Sequence, residues 1–248
     1  KCLQKLRGMF AFVIVNFETK EFFGVRDRFG IKPLYYSKQD DFYIFSSEIR
    51  PMLYSGLMSL EVNSKKLEEY LVFGFVAGQE TLHENVKEIE AGHYLYVSEH
   101  KYEYKRYWHP GNISEQDISF EDAANELEKK LFDAVSSWTV SDVEVGSLLS
   151  GGVDSSLITA LSMKILGKSH TFSLGFPEDV DVDESQKIQN IIDFLNVQNT
   201  FINFKENYIY DSLKDLANHF DEPILDPNNY SLMTLCKQIK NLTDIKVI

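Results

Sequence analysis

The chain has 248 residues, 44% hydrophobic and 25% charged, a composition typical of a globular protein and too apolar for a disordered one. Its formal net charge of −13, from 25 basic and 38 acidic side chains, argues against nucleic acid as a partner, because phosphate contacts need Lys and Arg. No apolar run is long enough to span a membrane and no signal peptide is recognised, so a membrane partner is not expected. Cys2 and Cys236 are too few and too far apart for a disulfide framework, which favours a cytoplasmic location.

The first part of the sequence consists of short strand-forming runs separated by turn residues, a pattern typical of antiparallel sheets. Strands are predicted at 9–15, 21–25, 34–37 and 42–46, and a hairpin at 92–97 with 102–107. A short helix is predicted to begin at a Ser64 cap and to reach about Phe73.

A change in composition between 108 and 119 predicts a domain boundary. The sequence HPGN at 109–112 interrupts regular structure, and the residues that follow are polar. We therefore predict one domain over 1–112 and a second over 113–248. Ser119, with Asp122 three residues later, resembles a capping box and predicts a helix that runs to about Trp138.

In the second part, predicted strands and helices alternate along the chain. Strands are predicted at 143–149, 170–175, 200–204 and 245–248, and helices at 153–166, 184–196, 206–219 and 229–241. Alternation of this kind indicates a parallel sheet with helices on its faces. The fold class is therefore an α+β domain rich in antiparallel strands, followed by an α/β domain whose ligands would bind beyond the carboxyl ends of the strands.

The loop SGGVDSS at 150–156 connects a predicted strand directly to a predicted helix. Gly151 and Gly152 permit positive φ and close approach to a ligand, so successive N–H groups there can bind an anion at the helix start. Asp154 would repel bare phosphate, and a bridging Mg²⁺ is the expected partner. The loop has no lysine, which distinguishes it from the phosphate loop used in γ-phosphoryl transfer. The alternative, a glycine-rich turn without function, is disfavoured by the length of the string and its position between strand and helix.

The loop resembles the pyrophosphate loop of the ATP pyrophosphatases, which form adenylates and release pyrophosphate. Other strings then resemble one branch of these enzymes, the glutamine-hydrolysing asparagine synthetases. They are LRGMFAF at 6–12, RDRFGIKPLYY at 26–36, FSSEI at 45–49, YLVFGFV at 70–76, TLH at 81–83, AGH at 91–93, RYW at 106–108, TFSLGF at 171–176, DES at 183–185 and DEPILD at 221–226. The resemblance implies an incomplete glutamine amidotransferase domain of the amidohydrolase (Ntn) type. An incomplete ATP pyrophosphatase domain with the adenine nucleotide alpha hydrolase-like fold is implied to follow it.

The resemblance also implies a reaction, that of an ATP-dependent carbon–nitrogen ligase of asparagine biosynthesis. Glutamine would be hydrolysed in one domain, and its ammonia would attack an aspartyl-adenylate in the other, giving asparagine, AMP and pyrophosphate. The expected cofactors are ATP and Mg²⁺. The expected partners are aspartate, glutamine and ammonia as small molecules, and a second copy of the chain in a homodimer.

Carried over position by position, the resemblance implies a set of ATP-binding residues in this chain. They are Leu149, Ser150, Gly151, Gly152, Val153, Asp154, Ser155, Ser156 and Leu174. Asp154 would also be the Mg²⁺ ligand, and a second carboxylate for the metal is expected after Ile248. No catalytic residue is assigned, because the family's nucleophilic cysteine is expected upstream of Lys1. Cys2 is predicted to be a packing residue.

Several interpretations remain open from the sequence. The acceptor of ammonia could be another carboxylate, in surface-sugar or secondary metabolism, or the chain could bind a nucleotide without turnover. The stretch 26–28 could form a substrate clamp, although a structural ion-pair network is favoured. Asp221, Glu222 and Asp226 could cap a loop or belong to an active site. The start at Lys1 and the strand-like end at 244–248 lead us to expect a longer protein.

Overall fold

A computed structural model describes residues 2–112, 114–175, 185–203, 215–223, 226 and 228–248. The chain forms two compact units, the first from Lys1–Glu115 with Ala217–Leu225 and the second from Gln116–Leu216 with Asp226–Ile248. The predicted boundary after residue 112 lies close to the first change of unit. Residues 217–223 lie within the predicted second domain, but their contacts group them with the first unit.

The first unit contains two antiparallel sheets. Its strands are β1 (Ala11–Asn16), β2 (Glu21–Arg26), β3 (Tyr35–Lys38), β4 (Tyr43–Ser46), β5 (Lys87–Glu88), β6 (His93–Ser98) and β7 (Lys101–Arg106). One sheet has the order β1-β2-β6-β7 and the other β4-β3-β5. The two sheets pack closely at Gly24 of β2. A Cβ at this position would lie 3.2 Å from Ile89 and 3.3 Å from Phe45, so a larger residue would crowd these side chains. The predicted antiparallel strands and the hairpin are thus confirmed, while β5 was not predicted.

Two helices of the first unit are capped by asparagine or aspartate side chains. Helix α2 (Ser64–Phe73) begins after Asn63, whose side chain accepts a hydrogen bond from the N–H of Lys66, so the predicted Ser64 cap is wrong by one residue. Asparagine is as good a cap as serine, and the pattern alone did not separate them. Helix α1 (Ile49–Tyr54) was not predicted. Its first N–H groups, those of Ile49 and Arg50, donate to the carboxylate of Asp221.

The second unit contains a parallel sheet, as predicted. Its strands are β8 (Gly146–Leu148), β9 (His170–Gly175) and β10 (Gln198–Asn203), in the order β10-β9-β8. Its helices are α3 (Phe120–Trp138), α4 (Val153–Leu166), α5 (Ser185–Leu195) and α6 (Asn228–Leu242). The hydrophobic core combines Phe172 and Ile202 of the sheet with Leu235 and Ile239 of α6 and with Ile245.

Strand β8 has neighbours on both sides. The N–H of Leu149 donates to Phe172 on β9, whereas the N–H of Gly146 donates to Val247. Since residues three apart on a strand direct their N–H groups to opposite sides, Val247 lies across β8 from β9. The chain thus runs outward from β8 to β10 and returns beside β8. This reversal creates a crevice at the carboxyl end of β8, the position where parallel α/β sheets bind ligands.

Some predicted elements differ from the structure or lie outside its described residues. Strand β8 is shorter than the predicted 143–149, and within 245–248 only Val247 forms a bridge, to Val145. Of the helix predicted at 206–219, residues 215–219 are helical, and the rest lies outside the described part of the chain. Phe176, Asp183, Glu184, Phe204, Ile224 and Leu225 also lie outside it. Within the described residues, no helix is long and apolar enough to cross a membrane.

Candidate nucleotide site

The loop at 150–156 leaves β8 at the crevice and leads directly into α4. Gly151 has a φ of +79°, which favours glycine, and a Cβ there would lie 3.2 Å from Ile188. Gly152 occupies the N-cap position of α4, with a φ of −76°, and the helix start therefore has no side-chain cap. A Cβ on Gly152 would meet only the Ser150 hydroxyl, at 3.6 Å, so space lies open beside it.

Four consecutive backbone donors of the loop have no partner among the described residues. No hydrogen bond engages the N–H groups of Gly151, Gly152, Val153 or Asp154 within that part of the chain. The carbonyl of Gly152, in contrast, accepts from the N–H of Ser156 at 3.1 Å and from its hydroxyl at 2.6 Å. Donors are therefore available while this acceptor is engaged, which is the arrangement that an anion requires.

Three serine hydroxyls lie around this group of donors. The Oγ atoms of Ser150 and Ser155 are 3.0 Å apart, and the Ser155 hydroxyl also donates to the Gly152 carbonyl at 3.2 Å. Each hydroxyl carries one rotatable proton and can turn toward a bound phosphate. The loop thus combines backbone and hydroxyl donors within seven consecutive residues.

Asp154 lies in the first turn of α4 with an exposed side chain, and no hydrogen bond engages its carboxylate within the described residues. No group of three or more His, Cys, Asp or Glu residues suited to a metal occurs in the described part of the chain. A single carboxylate nevertheless fits Mg²⁺, since this ion commonly takes one or two protein carboxylates and completes its shell with nucleotide phosphates and water. The residues present therefore fit a Mg²⁺–nucleotide pair better than a metal held by protein alone.

An apolar cavity of about 250 Å³ lies beside the loop. Its lining residues are Leu148, Leu149, Ser150, Phe172, Leu174, Ile188, Asn228, Ser231, Leu232 and Leu235. Of the predicted ATP-binding residues, the structure brings Leu149, Ser150 and Leu174 together on its wall. The other predicted residues form the adjacent loop, and the Val153 side chain, 82% exposed, does not line the cavity.

The sequence prediction missed the contribution of α6. Asn228, Ser231, Leu232 and Leu235 all line the cavity, at the spacing of one helical face. That spacing was visible in the sequence, but nothing local indicated that the face meets Leu149 and Leu174. Asn228 also begins the helix, where its N–H donates to the carboxylate of Asp226 at 2.9 Å. Asp226 thus has a capping contact rather than a place on the cavity wall.

The stretch 26–28 of the first unit is structural. The Arg26 guanidinium pairs with Glu88 at 2.7 Å and donates to the Gly30 carbonyl at 2.7 Å. Asp27, 1% exposed, accepts from the N–H groups of four residues. They are Phe10, Phe29, Ile31 and Lys32. Burial alone would raise the pKa of Asp27, but these donors together hold it below its ordinary value. These contacts are structural, as favoured, but the predicted ion-pair network is wrong, because within the described residues the ion pair of Arg26 is the only one in this stretch.

The remaining candidates are Asp221, Glu222 and Cys2. Asp221 caps α1 and also lies 3.6 Å from the Nε of Arg50. Burial raises the pKa of its neighbour Glu222, although the N–H of Leu82 opposes the shift. Cys2 is exposed, so the prediction that it is a packing residue is wrong, because the adjacent apolar run begins its strand only at Ala11.

Comparisons with known proteins agree with the two-part organisation. The family described as glutamine amidotransferase domain matches residues 1–108, and the family described as asparagine synthase matches residues 126–248. The chain belongs to the glutamine-hydrolysing asparagine synthetase family. The two matches place the loop at 150–156 in the synthase part.

Individual relatives extend well beyond this chain. The glutamine-hydrolysing asparagine synthetase 1 of Bacillus subtilis strain 168 is 33% identical over 95% of this chain and 37% of its own length. The asparagine synthetase 3 of the same organism is 30% identical over 96% of this chain and 41% of its own length. The amidase chyE of Penicillium rubens is 27% identical over 99% of this chain and 38% of its own length. The chain thus spans about two fifths of the length of these relatives.

Solved structures match at lower similarity. NMN synthetase from Francisella tularensis is 20% identical over 50% of this chain and 52% of that chain, with a TM-score of 0.33. An ammonia-dependent NAD synthetase from Campylobacter jejuni is 19% identical over 48% of this chain and 49% of that chain, with a TM-score of 0.30.

Proposed function

We propose that the second unit binds ATP with Mg²⁺ and activates a carboxylate by adenylation, in a glutamine-dependent asparagine synthetase. The observation that carries the proposal is the loop at 150–156. The N–H groups at 151–154 have no partner among the described residues, the loop lies at the crevice beyond β8, and an apolar cavity adjoins it. This combination suits a ligand with a polyanionic end and a flat apolar end, as a nucleotide has.

Each part of the site has a role in this proposal. The N–H groups of Gly151 and Gly152, with the hydroxyls of Ser150, Ser155 and Ser156, hold the β- and γ-phosphates. Leu149 and Leu174 pack against adenosine in the cavity. Asp154 holds Mg²⁺, which when bound supplies charge neutralisation on the leaving pyrophosphate. The acceptor carboxylate displaces pyrophosphate from the α-phosphorus, and ammonia then displaces AMP from the resulting adenylate to give the amide.

The wider assignments follow from family membership. We assign the amidohydrolase (Ntn) fold to the first unit and the adenine nucleotide alpha hydrolase-like fold to the second. Glutamine would supply ammonia through the first unit, and aspartate would be the acceptor. A cytoplasmic location fits the use of ATP, and the homodimer remains a prediction for sedimentation to test.

A second candidate is an amidotransferase that acts on a carboxylate other than aspartate. The likeness to the amidase chyE, which covers 99% of this chain, favours it. The ATP site and its loop would serve the same adenylation, and only the acceptor would differ. Aspartate is ranked first because the asparagine synthetases of Bacillus subtilis are more similar in sequence.

Calorimetry with ATP tests the nucleotide site on this chain. With Mg²⁺ present, we expect Asp154→Ala to weaken ATP binding about tenfold, because the metal loses its protein carboxylate. Without Mg²⁺, the same variant should bind ATP as well as the wild type or better, since a repulsive charge is gone. Asp142→Ala, an exposed aspartate on the approach to β8, is the control and should match the wild type in both conditions. Equal binding of Mg²⁺–ATP by the wild type and Asp154→Ala would refute the metal role of Asp154.

The reaction is tested on the full product of the gene, incubated with ATP, Mg²⁺, aspartate and glutamine. Asparagine and pyrophosphate in equal amounts would establish the proposed reaction. Glutamine hydrolysis without aspartate-dependent pyrophosphate would favour the second candidate. Neither activity, with ATP still bound, would mean nucleotide binding without turnover.

A further inference from the structure

Leu149, the last residue before the loop, has both of its backbone groups bound to β9. Its N–H donates to the carbonyl of Phe172 at 2.9 Å, and its carbonyl accepts from the hydroxyl of Ser173 at 2.7 Å. Ser173 is 1% exposed, so this hydroxyl is shielded from water. A buried hydrogen bond that lacks competition from water holds its acceptor firmly in place.

A second side chain, Asn199 on β10, contacts the same hydroxyl. Its Oδ1 lies 3.1 Å from the Ser173 Oγ and 2.8 Å from the Thr171 Oγ1, which in turn lies 3.0 Å from the carbonyl of Gln198. The two hydroxyls have one proton each but face three acceptors. The Asn199 Nδ2, meanwhile, is buried without a hydrogen-bond partner in the described part of the chain.

Exchanging the oxygen and nitrogen of the Asn199 amide resolves this mismatch. The orientation of an asparagine amide is assigned from its hydrogen-bond network. In the exchanged orientation the Nδ2 donates to both hydroxyl oxygens, Thr171 gives its proton to Gln198, and Ser173 gives its proton to Leu149. A single carbonyl oxygen, rather than two N–H donors, is then left without a partner. The result is a chain of donors from Asn199 through Ser173 to the Leu149 carbonyl.

The direction of the Leu149 carbonyl determines the direction of the next N–H. In a trans peptide the carbonyl of Leu149 and the N–H of Ser150 point to opposite sides. With the carbonyl held toward β9, the Ser150 N–H points into the loop, where it lies 3.3 Å from the Ser155 Oγ. A carbonyl released from Ser173 could instead turn its negative end toward a bound phosphate.

We propose that Ser173, supported by Asn199, is a positioning residue for the phosphate end of the site. It keeps the Leu149 carbonyl away from the phosphates and aims the Ser150 N–H at them. This inference rests on the proposed function, since it assumes that the loop binds pyrophosphate. Neither side chain belongs to the cavity wall, so their effect on the ligand is indirect.

The test compares Mg²⁺–pyrophosphate with adenosine as ligands of this chain, by calorimetry or ligand-observed NMR. We expect Ser173→Ala to weaken Mg²⁺–pyrophosphate binding about tenfold, and adenosine binding by less than about twofold. General loosening of the sheet would weaken both ligands together. Ser173→Thr, which keeps the hydroxyl, should restore most of the pyrophosphate affinity.

Thr171→Val is the matched control, because Thr171 is equally buried on the same strand and shares Asn199, but does not contact Leu149. It should lower thermal stability about as much as Ser173→Ala and leave pyrophosphate binding within about twofold of the wild type. If Ser173→Ala proves unfolded by circular dichroism, Ser173→Cys, a weaker donor of similar size, should show an intermediate loss.

The outcomes separate the two proposals. A wild-type chain that binds neither ligand would overturn the proposed nucleotide site itself. A wild type that binds pyrophosphate, with Ser173→Ala binding it equally well, would overturn only the positioning role. Equal losses in Ser173→Ala and Thr171→Val would also overturn that role, since the effect would then come from the buried cluster as a whole.

Discussion

Two loops of this chain, at 26–32 in the first unit and at 150–156 in the second, share an aspartate and a glycine, in opposite order. Each begins at or just after the end of a strand and includes an aspartate. Each also contains a glycine with positive φ, +65° at Gly30 and +79° at Gly151. In the first loop the carboxylate of Asp27 is buried and accepts from four backbone N–H groups of the protein. In the second loop Asp154 is exposed, and four N–H groups have no partner among the described residues.

The difference lies in what satisfies the polar groups. Inside the first loop every donor around the carboxylate has an internal acceptor, so the aspartate stabilises the fold and offers nothing to a ligand. The donors of the second loop face solvent at the crevice of a parallel sheet, and a ligand can satisfy them. The sequence left a substrate clamp at 26–28 open, and the internal hydrogen bonds of Asp27 decide against it.

The starts of two helices in the second unit show the same contrast. Helix α3 is capped by Ser119, whose hydroxyl accepts from the N–H of Asp122 at 3.1 Å. The Asp122 carboxylate accepts in return from that hydroxyl, rather than from the backbone N–H of a full capping box, because Asp is one methylene shorter than Glu. Helix α4 has Gly152 at its start and no side-chain cap. An uncapped helix start beside a cavity is suited to an anion.

The largest expected effect comes from Asp27→Ala. Removing this carboxylate leaves four backbone N–H groups without their acceptor. We expect the free energy of unfolding of the first unit to fall by about 4 kcal/mol. Urea denaturation can be followed by the fluorescence of Trp108, whose ring lies 4.9 Å from that of Phe29, in a Trp138→Phe background.

Asp154→Ala is the counterpart of that experiment. Because its carboxylate has no partner among the described residues, the free energy of unfolding of the second unit should change by less than about 0.5 kcal/mol. Here the fluorescence of Trp138 is followed in a Trp108→Phe background. A stability loss as large as that of Asp27→Ala would contradict the distinction between the two loops.

The next largest effects are expected from the two glycines of the second loop, whose substitution should affect different properties. Gly151→Ala forces a positive φ on alanine and brings its Cβ to 3.2 Å from Ile188, so we expect a loss of about 1–2 kcal/mol in the free energy of unfolding. Gly152→Ala should change stability little but weaken Mg²⁺–ATP binding, because its methyl group would occupy the open space beside the loop. Thermal unfolding measures the stability of both variants, and calorimetry measures their affinity for Mg²⁺–ATP. If Gly152→Ala lost stability and Gly151→Ala kept it with a lower affinity, the phosphates would not bind beside Gly152.

Removal of the α3 cap should have a smaller effect. Ser119→Ala is expected to lower the free energy of unfolding of the second unit by about 1 kcal/mol, since one N–H loses its acceptor. Affinity for Mg²⁺–ATP should be unchanged. A drop in ATP affinity as large as that of Asp154→Ala would mean that the start of α3, too, contributes to the nucleotide site.

The smallest expected effect is a change in acid sensitivity. The pKa of Asp27 is lowered in the folded state, so its contribution to stability is present above the unfolded pKa and is lost as the pH falls through the folded value. The wild type should therefore lose more stability than Asp27→Asn between about pH 4 and pH 2, and the two slopes should agree between about pH 5 and pH 7. Urea denaturation across this range measures the free energy of unfolding of both proteins against pH. Parallel pH dependences below about pH 4 would contradict the lowered pKa of Asp27.

Much of the second unit was predictable because its signals are local. Helix α4 and strand β9 have the predicted bounds, 153–166 and 170–175, since the flanking glycines and apolar runs mark their ends. The cap of α2 was displaced by one residue because Asn63 and Ser64 are both good caps. Helix α1 was missed because its cap, Asp221, lies far along the chain.

Whereas α1 and β5 could not be predicted from the sequence, most of the strands and helices, the two-part organisation and the loop with its two glycines could. Those features depend on periodicity, turn residues and short motifs, which act over a few residues. Which polar groups are satisfied depends instead on the tertiary structure. It placed one face of α6 against Leu149 and Leu174, held the Leu149 carbonyl with Ser173, and left the N–H groups at 151–154 without a partner among the described residues. These outcomes depend on contacts between residues distant in the chain, which no local pattern specifies.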